Sequence, residues 1–167
     1  VLKDITAREF ATAIALRKAI KKLKIKNAIS FHRSIRRADN FRVQQDLITK
    51  IFPSYGKLKS FHVRGDMPTS DRAIQMRNFA EGEGLMTNAR CLTEGVDLPA
   101  IDCVCFTDPK RSKVDIVQAA GRALRLSKGK KFGYILIPIF IPDGMDFSTA
   151  AEQQGFDEVS TTVRALA

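Results

Sequence analysis

The sequence predicts a three-layer α/β domain, a mainly parallel sheet flanked by helices. Three observations carry that expectation. Strand-length apolar runs alternate with helix-length runs along almost the whole chain. The apolar runs are continuous, as in strands covered on both faces. A chain of 167 residues with 44% hydrophobic side chains can bury one core, which excludes wholesale disorder.

Each element has its own signal. Residues Thr6 to Lys24 are rich in Ala, Ile, Leu, Lys and Arg without Gly or Pro, and predict a helix. "NAISFH" (Asn27 to His32) is an apolar run of strand length. A second helix is expected from Ser34 to Ile51, stopped ahead of Pro53. "KSFHVRG" (Lys59 to Gly65) predicts the next strand, and Thr69 to Ala80 a helix closed by Gly82 and Gly84. "GLMTNA" and the run Ile101 to Phe106 predict two further strands. Lys113 to Leu126 predicts a helix, Phe132 to Ile141 a strong last strand, and the tail from Ser148 a weak helix.

The net charge of +10 points to a polyanionic partner, nucleic acid first. From Arg17 to Arg37 there are nine Lys or Arg and no acid, which is either a basic binding face or a solvated helix surface. No apolar run reaches the roughly 20 residues that span a bilayer, so no membrane partner is expected. "VLKDITAREF" is no signal peptide, and the chain opens on Val, as a segment of a longer protein would. Cys91, Cys103 and Cys105 have no metal-ligand spacing. Cys103 and Cys105 should share one face of a strand as core residues, in keeping with a reducing, cytoplasmic setting.

Two segments could carry chemistry. "TNARCLTEGVDLP" (Thr87 to Pro99) links two strands. Gly95 would let a ligand approach closely, Asp97 could accept from ribose hydroxyls, and Thr87, Asn88, Arg90 and Thr93 could reach phosphates. A plain connection with Asp97 as a local cap is the other reading. In "QAAGRALR", Gln118, Gly121, Arg122 and Arg125 recur at spacings of three and four on one side of a helix otherwise apolar or small. Two guanidinium groups on a rigid element can clamp phosphate oxygens, or they can pair with acids of the same chain. Gly121 costs roughly 1 kcal/mol in a helix relative to alanine, which suggests a close neighbour.

Together, "TEGVDLPAID" and "QAAGRALR" resemble motifs V and VI of superfamily 2 helicases and translocases, the branch with type III restriction subunits and DEAD/DEAH-type proteins nearest. "NAISFHRSIRRADNF" resembles motif IV, and "VRGDMPTSDRAIQMRNFAEGE" the stretch between motifs IV and V. The resemblance covers about residues 25 to 140. It implies the second of two RecA-like domains, over residues 1–147, with 1–24 a helix leading in and 148–167 a tail or linker helix. It implies that Gln118 faces ATP and that Arg122 and Arg125 reach its phosphates, Arg125 as the arginine finger. Gly95 and Asp97 would lie near ribose and phosphates. Thr87, Asn88 and Arg90, with Ser30, Phe31 and His32 of motif IV, would face the nucleic-acid backbone, and Arg64, Gly65 and Arg72 would add contacts. DNA rather than RNA is the expected partner, and the first RecA-like domain of the same polypeptide the other.

The segment Thr87 to Gly95 is longer than its DEAD-box equivalent. "SYGKLKS" and "SKGKKFG" lack the spacing and the strand–loop–helix context of a phosphate-binding loop, and no Asp-Glu-x-x pair follows a strand as a Mg²⁺ site. ATP and Mg²⁺ would therefore be bound mainly through the first domain, and the chain alone would not hydrolyse ATP. A nucleic-acid-binding module without motor activity is the alternative. A Rossmann enzyme would need a glycine-rich turn, and "NAISFHRSIRR" has no glycine.

Overall fold

The computed structural model describes residues 6–89, 101–110, 112–125 and 128–166. Helix α1 (Ala7–Leu23) starts at a reciprocal cap: Thr6 Oγ1 accepts from the Glu9 amide and Glu9 Oε2 from the Thr6 amide. Such a cap contributes about 1 kcal/mol. The helix ends on Lys24 in the left-handed region, φ 53°, which turns the chain into β1 (Asn27–His32). There follow α2 (Ile35–Ile51), β2 (Ser60–Arg64), α3 (Thr69–Glu81), β3 (Gly84–Ala89), β4 (Cys103–Phe106), α4 (Lys113–Leu124), β5 (Tyr134–Leu136), α5 (Phe147–Gln153) and α6 (Asp157–Leu166).

All four strand pairings are parallel, in the order β2-β3-β1-β4-β5. The three-layer architecture read from the sequence is the one observed. Strand alternation divides the core. Ile29, Phe31, Val104 and Phe106 pack against Ile116, Ala119 and Ala123 of α4, with Phe156 and Val159 of the tail. Ala28, Leu85, Cys103 and Cys105 pack against Leu16 of α1 and Phe41 and Ile48 of α2. Both cysteines are fully buried on one face, as their spacing implied; burial pushes the Cys103 thiol up to about 12 and raises that of Cys105 well above its ordinary value, so neither forms a thiolate readily. Gly84 answers to a close approach: a Cβ there would stand 2.3 Å from the Lys59 carbonyl oxygen, where β2 and β3 begin side by side.

Three expectations need correction. The last strand is three residues rather than ten. Pro138 has no N–H for a ladder, and beyond it Gln154 takes over Phe140, accepting from its amide and donating to its carbonyl. Helix α4 ends at Leu124, leaving Arg125 in extended backbone (φ −62°, ψ 126°). The tail forms two helices, and α6 lies on α4 with Val159 fully buried.

Candidate nucleotide and nucleic-acid site

The winding reverses between β1 and β4, and the loops beyond their carboxyl ends flank a cleft of about 270 Å³. Such a switch point is where open parallel sheets place ligands. Here it is filled by an ionic network that the sequence reading missed. Arg37 Nε and Nη2 donate to the two carboxylate oxygens of Asp108 at 2.9 and 2.6 Å, and Nη1 donates to Glu9 at 2.6 Å. The Arg33 amide adds a third donor to Asp108 at 3.0 Å. Burial opposes the Arg37 charge, but the hydrogen bonds and charge of Asp108, then Glu9, outweigh it and raise its pKa.

His32 lies beside this network. Thr107 Oγ1 donates to the Phe31 carbonyl at 2.6 Å, so toward His32 Nδ1, 2.8 Å away, it can only accept. Nδ1 therefore carries the proton, and Nε2 accepts from Ser30 Oγ at 2.8 Å. Burial, opposed by Asp108 and helped by Arg37, lowers the His32 pKa to about 3, so the ring is neutral at physiological pH.

The candidate nucleic-acid residues fall into two groups. Ser30, Thr87 and Asn88 are fully buried; Phe31 and His32 are nearly so, with Phe31 stacked on Phe106 and the Lys110 ammonium 5.3 Å above its ring. Thr87 Oγ1 meets His62 Nδ1 at 2.8 Å. Arg64 and Gly65 are exposed at the end of β2, and Arg72 is half-buried on α3. Arg64 pairs with Asp66 at 2.9 Å, and Arg72 Nη2 donates to the Met67 carbonyl at 3.2 Å. Arg90, Gly95 and Asp97 lie outside the described residues.

Helix α4 has a clear division. Ile116, Ala119, Ala120 and Ala123 are buried against the sheet and α6, whereas Gln118, Gly121 and Arg125 are exposed and Arg122 is half-buried. A Cβ built on Gly121 meets nothing within 4 Å among the described residues, so the close neighbour expected there is none of these. The helix leaves the carboxyl end of β4 and runs back along it. Its last turn is held at the strand's amino end by Lys130, whose Nζ donates to the carbonyls of Ala123, Arg125 and Ile101. The paired arginines thus sit on a lateral face of the domain rather than at the carboxyl edge of the sheet.

The family model described as "Helicase conserved C-terminal domain" matches residues 11–127. This chain belongs to that family. The helicase C-terminal domain seen here has a yeast relative (Saccharomyces cerevisiae), the putative ATP-dependent helicase IRC3, 32% identical over 88 residues that make up 52% of this chain and 13% of IRC3. Among solved structures, the ATP-dependent Type ISP restriction-modification enzyme LlaBIII bound to DNA superposes with a TM-score of 0.81 and 27% identity, over 98% of this chain and 12% of that one. The C-terminal domain of the DEAD-box protein Dbp5 superposes with a TM-score of 0.65 at 17% identity, over 97% of this chain and 80% of that domain, a likeness of fold. The chain therefore spans about an eighth of the length of IRC3 and of LlaBIII.

Proposed function

We propose that this helicase C-terminal domain is the second motor domain of an ATP-dependent DNA helicase or translocase, with the exposed side of α4 completing a nucleotide site whose other half belongs to a first RecA-like domain. The observation that carries it is the asymmetry of α4. One side is sealed into the core; the other presents Gln118 and Gly121, with Arg122 and Arg125 beside them, where no atom of the described residues comes within 4 Å of a Cβ on Gly121. The helix carries Arg122, and Arg125 caps its end in extended backbone whose carbonyl accepts from Lys130, an arrangement that suits bidentate contact of the two guanidinium groups with phosphate oxygens.

In this reading the nucleotide supplies the phosphoryl group. Arg125, with Arg122, neutralises charge developing on its oxygens, a contribution of about a thousandfold or more where such a residue is used. Gln118 orients the nucleotide, and Gly95 and Asp97 border it. Mg²⁺ is held by the first domain, so the chain alone is inactive. Because the arginines reach the phosphates only on domain closure, hydrolysis is coupled to motion. The nucleic acid runs over the opposite, carboxyl edge, along Arg64, Gly65 and Arg72. Ser30, Phe31, His32, Thr87 and Asn88 hold the strands beneath it, and Arg90 lies beyond β3. Contacts of this kind read backbone rather than sequence.

The test is DNA-stimulated ATP hydrolysis by the longer polypeptide that carries both domains. Arg125→Ala is expected to lower kcat by about a thousandfold with little loss of DNA affinity. Undiminished hydrolysis would remove the finger assignment. Absence of any first domain upstream would favour the binding module without motor activity.

A further inference from the structure

The amino end of the sheet carries a feature that the motor reading leaves unused. The segments Leu23–Asn27 and Lys128–Tyr134 enclose an open cleft of about 600 Å³. Lys24, Lys26, Lys128 and Lys131 stand exposed around it. Its wall is aromatic: Phe132 is 68% exposed, with its ring centroid 6.5 Å from that of Tyr134. Among the described residues, Lys24, Lys128 and Lys131 have no carboxylate at ion-pair distance, and Lys26 has only Glu83, 3.9 Å away with both side chains largely exposed. The one carboxylate in the lining, Asp102, accepts from the Lys26 and Asn27 amides at 2.9 and 3.1 Å. Lys130 is committed to the end of α4.

We infer that this amino-edge cleft is a second nucleic-acid docking surface, at the opposite end of the sheet from Arg64 and Arg72, which grips a single strand through phosphate–lysine contacts and a base stacked on Phe132. The residue types choose the ligand. Ammonium groups on flexible stems are point charges that track a phosphate chain without reading bases, and a bare phenyl ring offers a stacking platform indifferent to sequence. A lone small anion would leave Phe132 without a role, and a duplex would keep its bases out of reach. Lys24 is held outward because its own left-handed backbone ends α1, so the charge is directed by the fold. In a motor, such a surface would retain the strand after it leaves the carboxyl edge. The inference rests on the proposed function only for the identity of the partner.

The test is fluorescence anisotropy of this chain alone with labelled oligo(dT) and with a duplex, over a salt series. The triple variant Lys24→Gln, Lys128→Gln, Lys131→Gln is expected to bind oligo(dT) at least tenfold more weakly, with the slope of log affinity against log salt reduced by about 2, since each phosphate contact on a single strand contributes about 0.7. Phe132→Ala is expected to weaken single-strand binding about tenfold and duplex binding little. Arg64→Gln with Arg72→Gln, at the far edge, should leave the lysine-dependent part of the slope in place. Thermal unfolding confirms that the exposed substitutions leave the fold intact. Unchanged affinity and slope in the triple variant would overturn the inference. So would normal DNA binding combined with lost hydrolysis in the two-domain protein, which would make the cleft a contact for the first domain. A preference of the chain for phosphatidylserine vesicles over oligo(dT) would overturn it as well. Because the readout is binding by this chain alone, it stands or falls separately from the effect of Arg125→Ala on hydrolysis.

Discussion

The two ends of the sheet handle positive charge in opposite ways. At the carboxyl end it is carried by arginines and tied down: Arg37 is forked onto Asp108 and reaches Glu9, Arg64 meets Asp66, and Arg72 folds onto backbone carbonyls. At the amino end it is carried by lysines, and most of them are loose. Around the cleft stand Lys24, Lys128 and Lys131, and the last turns of α1 and α2 and the approach to β2 add Lys22, Lys50, Lys57 and Lys59, all exposed. A guanidinium fork with satisfied partners fixes geometry, which a site acting on a backbone in register needs. A flexible ammonium group supplies attraction without geometry. Arg37, Arg64 and Arg72 are thus held where the strands end, while the cleft lysines stand exposed where β1 and β4 begin, beside the arginines at the end of α4. The unbroken basic run from Arg17 to Arg37 divides between the two uses, with one exception: Arg17 is buried between α1 and α2, donating to Gln45 O, Thr49 Oγ1 and Gly56 O.

If that contrast is sound, the two ends respond differently to substitution. At neutral pH the largest effect is expected at Asp108. Asp108→Ala leaves Arg37 partly buried without its principal partner and should cost about 3 kcal/mol, read as a lower midpoint of urea unfolding. Next is the pH response of His32. Its folded pKa, about 3, lies below the ordinary value of 6.5, so the unfolded chain binds the proton first. Stability from this group is fully present above pH 6.5 and falls between pH 6.5 and about 3, by up to about 1.4 kcal/mol per pH unit. His32→Asn should flatten that part of the profile; an unchanged slope would mean the ring is not the group being titrated. The smallest effect is at the amino end. Lys24, Lys128 and Lys131 changed to Gln should together alter stability by about 0.5 kcal/mol or less, since exposed charges contribute little. A loss of several kcal/mol there would show that these lysines hold the fold.

Much of the fold was legible in the sequence because the central strands are covered on both faces. β1 and β3 have the bounds expected of Asn27–His32 and Gly84–Ala89, since continuous apolar runs between turn signals leave little room for other readings. The strand at the edge was overestimated. Phe132 to Ile141 is as apolar as any strand, but pairing depends on N–H groups, and Pro138 and the competing amide of Gln154 end it. The tail was underestimated because helices of 7 and 10 residues are short, and what orders the amphipathic α6 is its contact with α4, a tertiary effect. At the site, the spacing of Gln118, Gly121, Arg122 and Arg125 matches exposure at Gln118 and Gly121, whereas Arg122 is half-buried and Arg125 lies past the end of α4. Burial was not legible for Ser30, Thr87 and Asn88, whose side chains are fully buried, with Asn88 also lining a small pocket beyond β1 and β4. The Arg37–Asp108–Glu9 network joins residues about 70 and 28 positions apart, which no local pattern reveals.

The central claim is that the open side of α4 faces a partner domain and its nucleotide, and Gly121 tests it directly. In this chain alone, a Cβ at Gly121 meets none of the described residues, and Gly121→Leu removes a helix glycine, so stability should rise by up to about 1 kcal/mol. In the two-domain protein the same side chain would fill the gap between α4 and the nucleotide, and DNA-stimulated hydrolysis should fall at least a hundredfold while the isolated domain stays folded. Hydrolysis at the unsubstituted rate would mean that nothing approaches that face, and the account of α4 would fail.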